Sequence, residues 1–182
     1  MFSMIIKFRK INGLFLTLML MSMSSFCYAA SYQFSWVGSD GYRLEGAFSI
    51  PDSLAQAKHI DERAVECFWI TGYRSDNPVG QWNISQLTDE TNWRLNFEPQ
   101  SLRFRTGGHS QSQFGQEWNM NGFGTGCGED GFGFNSGNVS QDICINNLSI
   151  KSSIISPKTS LLAIRNDQLL FEAADCISLE IS

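Results

Sequence analysis

Short runs in which apolar and polar residues alternate dominate the chain and predict a protein built from β-strands. The clearest run covers residues 42–50, and a period of two over nine residues is typical of a strand with one buried face. Its predicted buried face carries Tyr42, Leu44, Gly46, Phe48 and Ile50, and its other face carries Arg43, Glu45 and Ser49. An Asp40-Gly41 turn joins this run to alternating aromatic residues over 32–36, so residues 32–50 are predicted to form a hairpin.

The rest of the chain repeats this pattern at a spacing of roughly 8–12 residues, with turn residues between the runs. Residues 51–62 have the only helical spacing, capped by Ser53 or Asp52, and are short enough to form a single turn. We therefore predict an all-β antiparallel sandwich of jelly-roll type, with about ten short strands and at most one short helix. The further predicted strands are 64–73, 79–87, 93–97, 102–105, segments around Trp118 and Phe132, 142–145, 148–150, 161–165, 169–173 and 176–181.

Residues 107–137 differ from the rest of the chain because they contain ten of its 16 glycines, with aromatic residues between them. Glycine in a strand lets a neighbouring ring pack over the backbone, whereas a glycine-rich tract in a loop favours mobility. We expect a mobile tip over 107–113 and short strands around Trp118 and Phe132.

The N-terminal segment has the three parts of a secretory signal peptide. Basic residues at 7, 9 and 10 precede an apolar run over 11–26, which is shorter than the roughly 20 residues of a membrane-spanning helix. Small residues then predict cleavage before Ala30, so we divide the chain into a signal peptide, 1–29, and one domain, 30–182. The alternatives are cleavage after Ala30, an uncleaved anchor, and a lipoprotein modified at Cys27, which Phe26 disfavours. The expected location is the periplasm or the extracellular medium.

Cleavage would make an acidic protein more acidic. The chain has 13 basic and 18 acidic residues, and the signal peptide removes three of the basic ones, which leaves a formal charge of −8. Such a surface repels nucleic acid and anionic membranes, so we expect no nucleic-acid partner, and no membrane span after cleavage.

Four cysteines remain after the predicted cleavage, and an even number in an exported protein indicates disulfides. Four cysteines allow three pairings, and we favour Cys127–Cys144 together with Cys67–Cys176. The first pair closes a short glycine-rich loop, and the second ties the last predicted strand to the middle of the domain. A metal site is the weaker alternative, because no Cys-x-x-Cys pair occurs and neither histidine lies at ligand spacing from a cysteine.

Several segments resemble a group of uncharacterised exported bacterial proteins, many of which end in a PEP-CTERM sorting tail. The resemblance spans most of the chain after residue 30 and rests on glycine and aromatic patterns such as Gly80-Gln-Trp-Asn-Ile84 and Gly115-Gln-Glu-Trp-Asn119. It implies an exported β-rich domain and brings no catalytic residue with it. The sequence ends in Leu179-Glu-Ile-Ser182 without a Pro-Glu-Pro motif, so we do not expect sorting by that route. The other matching segments are 34–42, 44–50, 131–138 and 160–165.

No nucleophile elbow, phosphate loop or zinc-protease motif occurs in the sequence. His109 beside Ser110 is a weak candidate for a base and nucleophile pair. Glu98 and Glu117 are weak candidates for the paired carboxylates of a glycoside hydrolase or lyase, because each lies beside an aromatic-rich run. Both glutamates are more simply interpreted as solvated charges at the ends of strands.

Two kinds of binding site are also candidates. Glu129, Asp130 and Asn135 are oxygen ligands of the type that calcium prefers, although their spacing matches no defined calcium loop, and no other cofactor is expected. Trp82, Trp93 and Trp118 are candidates for a sugar-stacking surface, with Arg103 and Arg105 as polar partners or an anion site. The competing interpretations are tryptophans in the core and arginines that pair with acidic residues across the sheet.

We therefore expect a non-enzymatic exported domain that binds a polysaccharide or a protein of the cell envelope. The alternative is a carbohydrate-active enzyme on the same fold. A binding domain should present exposed aromatic rings in a shallow groove, whereas an enzyme should present two facing carboxylates, one of them with a raised pKa.

Overall fold

A computed structural model describes residues 29–107, 115–121 and 126–177. The predictions for His109 and for most of the mobile tip fall outside these residues. Within them the chain forms strands, turns and short 3-10 turns, and no α-helix occurs.

The larger of two antiparallel sheets contains eight strands and curls into a half-barrel. Its order is β3-β7-β8-β13-β1-β2-β4-β5. The strands are β1 (Ala29–Val37), β2 (Tyr42–Pro51), β3 (Ile60–Asp61), β4 (Cys67–Arg74), β5 (Asn77–Asn83), β7 (Asn96–Glu98), β8 (Arg103–Phe104) and β13 (Leu161–Arg165).

The smaller sheet has five strands in the order β12-β11-β10-β9-β6. Four of them follow one another along the chain as a meander, and β6 pairs with β9 at the edge. The strands are β6 (Asn92–Arg94), β9 (Gln116–Met120), β10 (Phe132–Ser136), β11 (Gln141–Ile145) and β12 (Leu148–Ser149). The prediction of an all-β sandwich is confirmed.

The hairpin of β1 and β2 agrees closely with its prediction. The two strands pair from Ala29 opposite Pro51 to Val37 opposite Arg43. Asp40 and Gly41 both adopt positive φ, as a tight hairpin turn requires.

The helical pattern over 51–62 forms a 3-10 turn at Asp52–Leu54, the single turn that its length allowed. Two other local predictions need correction. The run over 93–97 is divided between β6 and β7, which belong to different sheets. Residues 169–173 form no strand, because they leave the sheet and cross its outer face.

Aromatic rings from both sheets fill the space between them. Trp118 of β9 has no solvent exposure, and its ring centroid lies 5.1 Å from that of Phe34 on β1 and 4.7 Å from that of Phe134 on β10. Tyr32 and Phe48 stack with their ring centroids 5.0 Å apart. Each such pair adds about 0.5–1.5 kcal/mol to the free energy gained from burial alone.

One ring fixes the smaller sheet against the larger one. Phe132 of β10 packs directly on the backbone of Gly72 in β4 and Gly80 in β5. A Cβ atom at either glycine would overlap the ring, so both positions need glycine for this contact. We predicted such packing for the glycines of 107–137, and the structure uses two earlier glycines for this ring.

Both predicted disulfides are present. Cys127–Cys144 joins the glycine-rich segment to β11 across 17 residues. Cys67–Cys176 spans 109 residues and ties the C-terminal segment to the start of β4. Two disulfides within one chain fit an oxidising compartment.

Candidate functional site

The segment 166–177, which we call the strap, crosses the outer face of the eight-stranded sheet from β1 to β4. At its first end, the Asn166 amide donates to the Ser31 carbonyl at 2.8 Å, and the Ser31 amide donates to Asp167 Oδ1 at 3.2 Å. At its second end, Cys176 is bonded to Cys67, and the Ile177 amide donates to the Glu66 carbonyl at 2.9 Å. The strap is therefore held at two points.

The strap explains an exception to the alternation in β2. Arg43, Glu45, Ala47 and Ser49 all face outward, yet Ala47 is 1% exposed and Ser49 is 2% exposed. We expected Ser49 to face solvent, and the structure corrects this. Most of the outer face of this sheet is open, but the part beneath the strap is covered.

Two grooves lie beside the strap. The first has a volume of about 820 Å³ and the second about 370 Å³. The first groove is lined by polar groups of Gln33, Ser35 and Glu45 and by apolar groups that include Leu162, Ile164 and Leu169. The second is lined by Thr71, Gln81 and Asn83 of the sheet and by Leu170, Glu172 and Asp175 of the strap.

Trp69 of β4 lines both grooves. Its neighbours Phe68 and Ile70 point into the core, so the alternation of the strand turns the indole of Trp69 outward, where it is partly exposed. A partly exposed indole flanked by amide, hydroxyl and carboxylate groups offers one apolar surface and several hydrogen-bonding groups. Sites for small polar ligands commonly combine these features.

The sequence pattern does not single out Trp69. The run 64–73 is apolar on both faces, which indicates a strand in the middle of a sheet that is covered on both sides. The structure agrees with that interpretation on the core side, where Phe68 lies. On the other side the cover is the narrow strap, which leaves Trp69 partly exposed in both grooves. The one sequence feature that points to a strap on this face is Cys67, two residues before Trp69, because it forms the disulfide with Cys176.

The three tryptophans predicted to stack on sugars do not form an exposed surface. Trp118 has no exposure and Trp82 is 3% exposed, and both lie among the core rings. Trp93 is partly buried, with its ring centroid 4.6 Å from that of Phe68. Trp93 and Trp118 point between the sheets, because the outward positions of β6 and β9 belong to Arg94 and Glu117. Trp82 points inward from β5, where its neighbours Gln81 and Asn83 line the second groove.

Arg103 and Arg105 are brought together in a third groove of about 430 Å³, with Lys158 and Ser160. Arg105 Nε donates to Glu98 Oε1 at 2.8 Å, so the expected cross-strand pairing with an acidic residue holds for Arg105. Arg103 lies directly opposite Glu98 on the neighbouring strand, and its charge also helps to lower the pKa of that carboxyl. Of the two arginines, Arg103 is the more exposed, so it is the better placed to meet an anion.

The two candidate catalytic carboxylates, Glu98 and Glu117, pair with different arginines. The Arg105 guanidinium lowers the pKa of the Glu98 carboxyl, which also accepts a hydrogen bond from Ser101. Burial raises the pKa of Glu117, and its nearest cation is Arg94, at 3.7 Å. Glu98 lies in the larger sheet and Glu117 in the smaller, each in its own ion pair. The described residues thus give no direct support to a catalytic carboxylate pair.

Glu117 belongs to a polar row on the outer face of the smaller sheet. Arg94, Glu117, Asn135 and Asp142 lie opposite one another on β6, β9, β10 and β11. The Asp142 carboxylate accepts hydrogen bonds from Asn135 Nδ2 at 3.0 Å and from the hydroxyls of Ser140 and Ser149, each at 2.8 Å. Because these groups bind one another, the row resembles a structural network more than a binding site.

The three candidate calcium ligands do not converge. Glu129 and Asp130 are exposed in a turn, whereas Asn135 lies within β10 and donates a hydrogen bond to Asp142. Among the described residues, no group of three or more His, Cys, Asp and Glu side chains could hold a metal ion.

Comparison of the chain with protein-family models, with curated proteins and with solved structures found no match. The resemblance to exported bacterial proteins therefore stays a prediction. In the residues that the structure covers, no helix is long and apolar enough to cross a bilayer.

Proposed function

We propose that the chain is an exported, non-enzymatic domain that binds a polysaccharide in the grooves beside the strap. The position of Trp69 carries this proposal. Its indole is the largest apolar side chain that lines both grooves, and it lies on a covalently fixed part of the sheet, two residues after Cys67.

The chemistry of the grooves suits a sugar. A pyranose ring has one apolar face and a rim of hydroxyls, so it pairs an aromatic face with amide and carboxylate partners. Around Trp69 these partners are Gln33 and Glu45 in the first groove and Gln81 and Asn83 in the second. The grooves are open along the sheet. An open groove fits a polysaccharide that extends beyond the groove at both ends better than it fits a small molecule that must be enclosed.

The site supports binding better than catalysis. Glu45 forms an ion pair with Arg43, and Glu117, the carboxyl whose pKa is raised by burial, lies on the other sheet. A glycoside hydrolase needs two carboxyl groups on either side of one bond. Export through the predicted signal peptide would place the domain where cell-surface and extracellular polysaccharides occur.

The test is a glycan array with the full chain, purified from the oxidising compartment with its disulfides intact. We expect Trp69→Ala to lower the affinity for any glycan bound by about tenfold or more, because it removes the main apolar surface of both grooves. Tyr73→Ala is the matched control, since Tyr73 lies on the same face of β4, packs under Arg43 and lines neither groove.

Equal loss in both variants would contradict the proposal, as would unchanged binding by Trp69→Ala. If the folded protein binds no glycan, the proposed function is wrong, and an envelope protein becomes the next partner to test. The mass of the purified protein would also show whether cleavage occurs before Ala30.

A further inference from the structure

The first groove continues into the third groove, which is basic. Ser160 lines both, and Leu162 in the first groove lies opposite Arg103 in the third. The two grooves therefore form one path along the outer face of the sheet. Trp69 lies at one end of this path, on β4, and Arg103 at the other, on β8.

The two ends are separated by four strand-to-strand steps, through β13, β1 and β2, which amounts to about 19 Å. This distance exceeds the width of a single sugar ring, so one ligand would touch both ends only as an oligosaccharide.

The charges along the path differ in sign. At the β8 end, the groove carries three cations, Arg103, Arg105 and Lys158, and one carboxylate, Glu98, so its formal charge is 3 − 1 = +2. Arg103 and Lys158 are the exposed cations. At the Trp69 end, the second groove carries Glu172 and Asp175. An anionic group would thus be attracted at the β8 end and repelled near the strap.

The whole chain is acidic, with a formal charge of −5 before any cleavage. A groove with an excess of two positive charges is therefore a local exception. It favours anions near the groove, while the rest of the surface disfavours polyanions in general.

We infer that the ligand is an acidic polysaccharide, with a carboxylate or sulfate group at Arg103 and Lys158 and an uncharged sugar ring on Trp69. This inference rests on the proposed function and adds the class of ligand to it.

The test measures the affinity of the full, disulfide-bonded chain by calorimetry for four probes. Hyaluronan oligosaccharides supply carboxylates on alternate sugars, and heparin oligosaccharides supply sulfates. Dextran oligosaccharides are neutral. A single-stranded DNA oligonucleotide is a polyanion that is not a polysaccharide. We expect tighter binding of hyaluronan or heparin than of dextran or DNA. The difference between hyaluronan and heparin identifies the anionic group.

The variant that tests the site is Arg103→Gln with Lys158→Gln. Loss of two exposed charges should weaken binding of the acidic oligosaccharide about five- to tenfold at low salt and leave dextran binding unchanged. The loss should shrink as salt is added, because exposed charges are screened. Lys151→Gln is the matched control, since Lys151 is exposed and lines none of the three grooves.

Several outcomes would overturn the inference. Equal binding of dextran and the acidic probes, with both sensitive to Trp69→Ala, would leave the proposed function in place and remove the anionic preference. An equal loss in Lys151→Gln, or DNA binding as tight as the best polysaccharide, would show non-specific charge attraction. Binding of none of the oligosaccharides would reject this inference and the proposed function together.

Discussion

The two outer faces of the sandwich use their polar side chains differently. On the smaller sheet, Asn135, Ser140 and Ser149 all donate to Asp142, so the polar groups there largely bind one another. On the larger sheet, Ser35, Thr71 and Gln81 line grooves beside a partly exposed tryptophan. Polar groups that hydrogen-bond among themselves stabilise a fold, whereas polar groups that line an open groove are available to a ligand.

Removal of the disulfide between Cys67 and Cys176 should have the largest effect on the larger sheet, because this bond holds the strap against its outer face. The double variant Cys67→Ser/Cys176→Ser should lower the free energy of unfolding by about 2–5 kcal/mol, because the bond closes a loop of 109 residues. Urea unfolding monitored by tryptophan fluorescence measures this change. The strap should also become a substrate for chymotrypsin near Leu170 and Phe171.

The matched control is Cys127→Ser/Cys144→Ser, whose shorter loop should cost about 3 kcal/mol. It should leave the strap resistant to chymotrypsin at concentrations of urea where both variants are folded. Equal cleavage of the strap in the two variants would show that the Cys67–Cys176 bond does not hold it in place.

Substitution of Asp142 tests whether the polar side chains of the smaller sheet stabilise the fold. Asp142→Ala leaves three donors without their acceptor at a position that is 2% exposed, so we expect a loss of about 1–3 kcal/mol of unfolding free energy. Glycan binding should be unchanged in the folded variant. Asp76→Ala, in the exposed turn between β4 and β5, is the control and should cost almost nothing. If Asp142→Ala abolished binding without loss of stability, the two faces would have the opposite roles.

The smallest effect on the free energy of unfolding is expected from the titration of Glu117. Burial raises its pKa in the folded state, so the folded protein holds this proton more tightly than the unfolded chain does. The free energy of unfolding should therefore fall as the pH rises from the pKa of a free glutamate, about 4.3, through the raised value.

Glu117→Gln removes this titration. The variant should match the wild type at the lowest pH and become the more stable of the two above the raised pKa. Thermal unfolding across this range of pH measures the difference, and Glu90→Gln, at an exposed position, serves as the control. A variant that loses stability at neutral pH would mean that the ion pair with Arg94 outweighs the burial of the carboxyl.

Local features were predictable because they depend on neighbouring residues. The Asp40-Gly41 turn and the alternation in β2 define the hairpin without reference to the rest of the molecule. The disulfide pairing was also within reach, because one pair closes a short loop and the other ties the chain end to a central strand.

The positions of the tryptophans were not predictable in the same way. A period of two separates the faces of a strand, but it does not tell which face meets the other sheet. Trp118 lies in β9, where three of the five residues are polar, and Trp69 lies in the more apolar β4, yet Trp118 is in the core and Trp69 is beside the strap. The apolar run Leu169, Leu170 and Phe171 predicts a strand in the strap, but in the structure Leu169 lines the first groove and Leu170 is 94% exposed.

The Cys67–Cys176 bond also sets an order of events during maturation. Cys176 follows all thirteen strands of the described chain, so it cannot be joined to Cys67 until every one of them has been synthesised. Cys127–Cys144 needs no residue beyond 144 and is free to form earlier. The strap is therefore the last part to be fastened covalently, and a chain halted before Cys176 would have a sandwich without a finished groove.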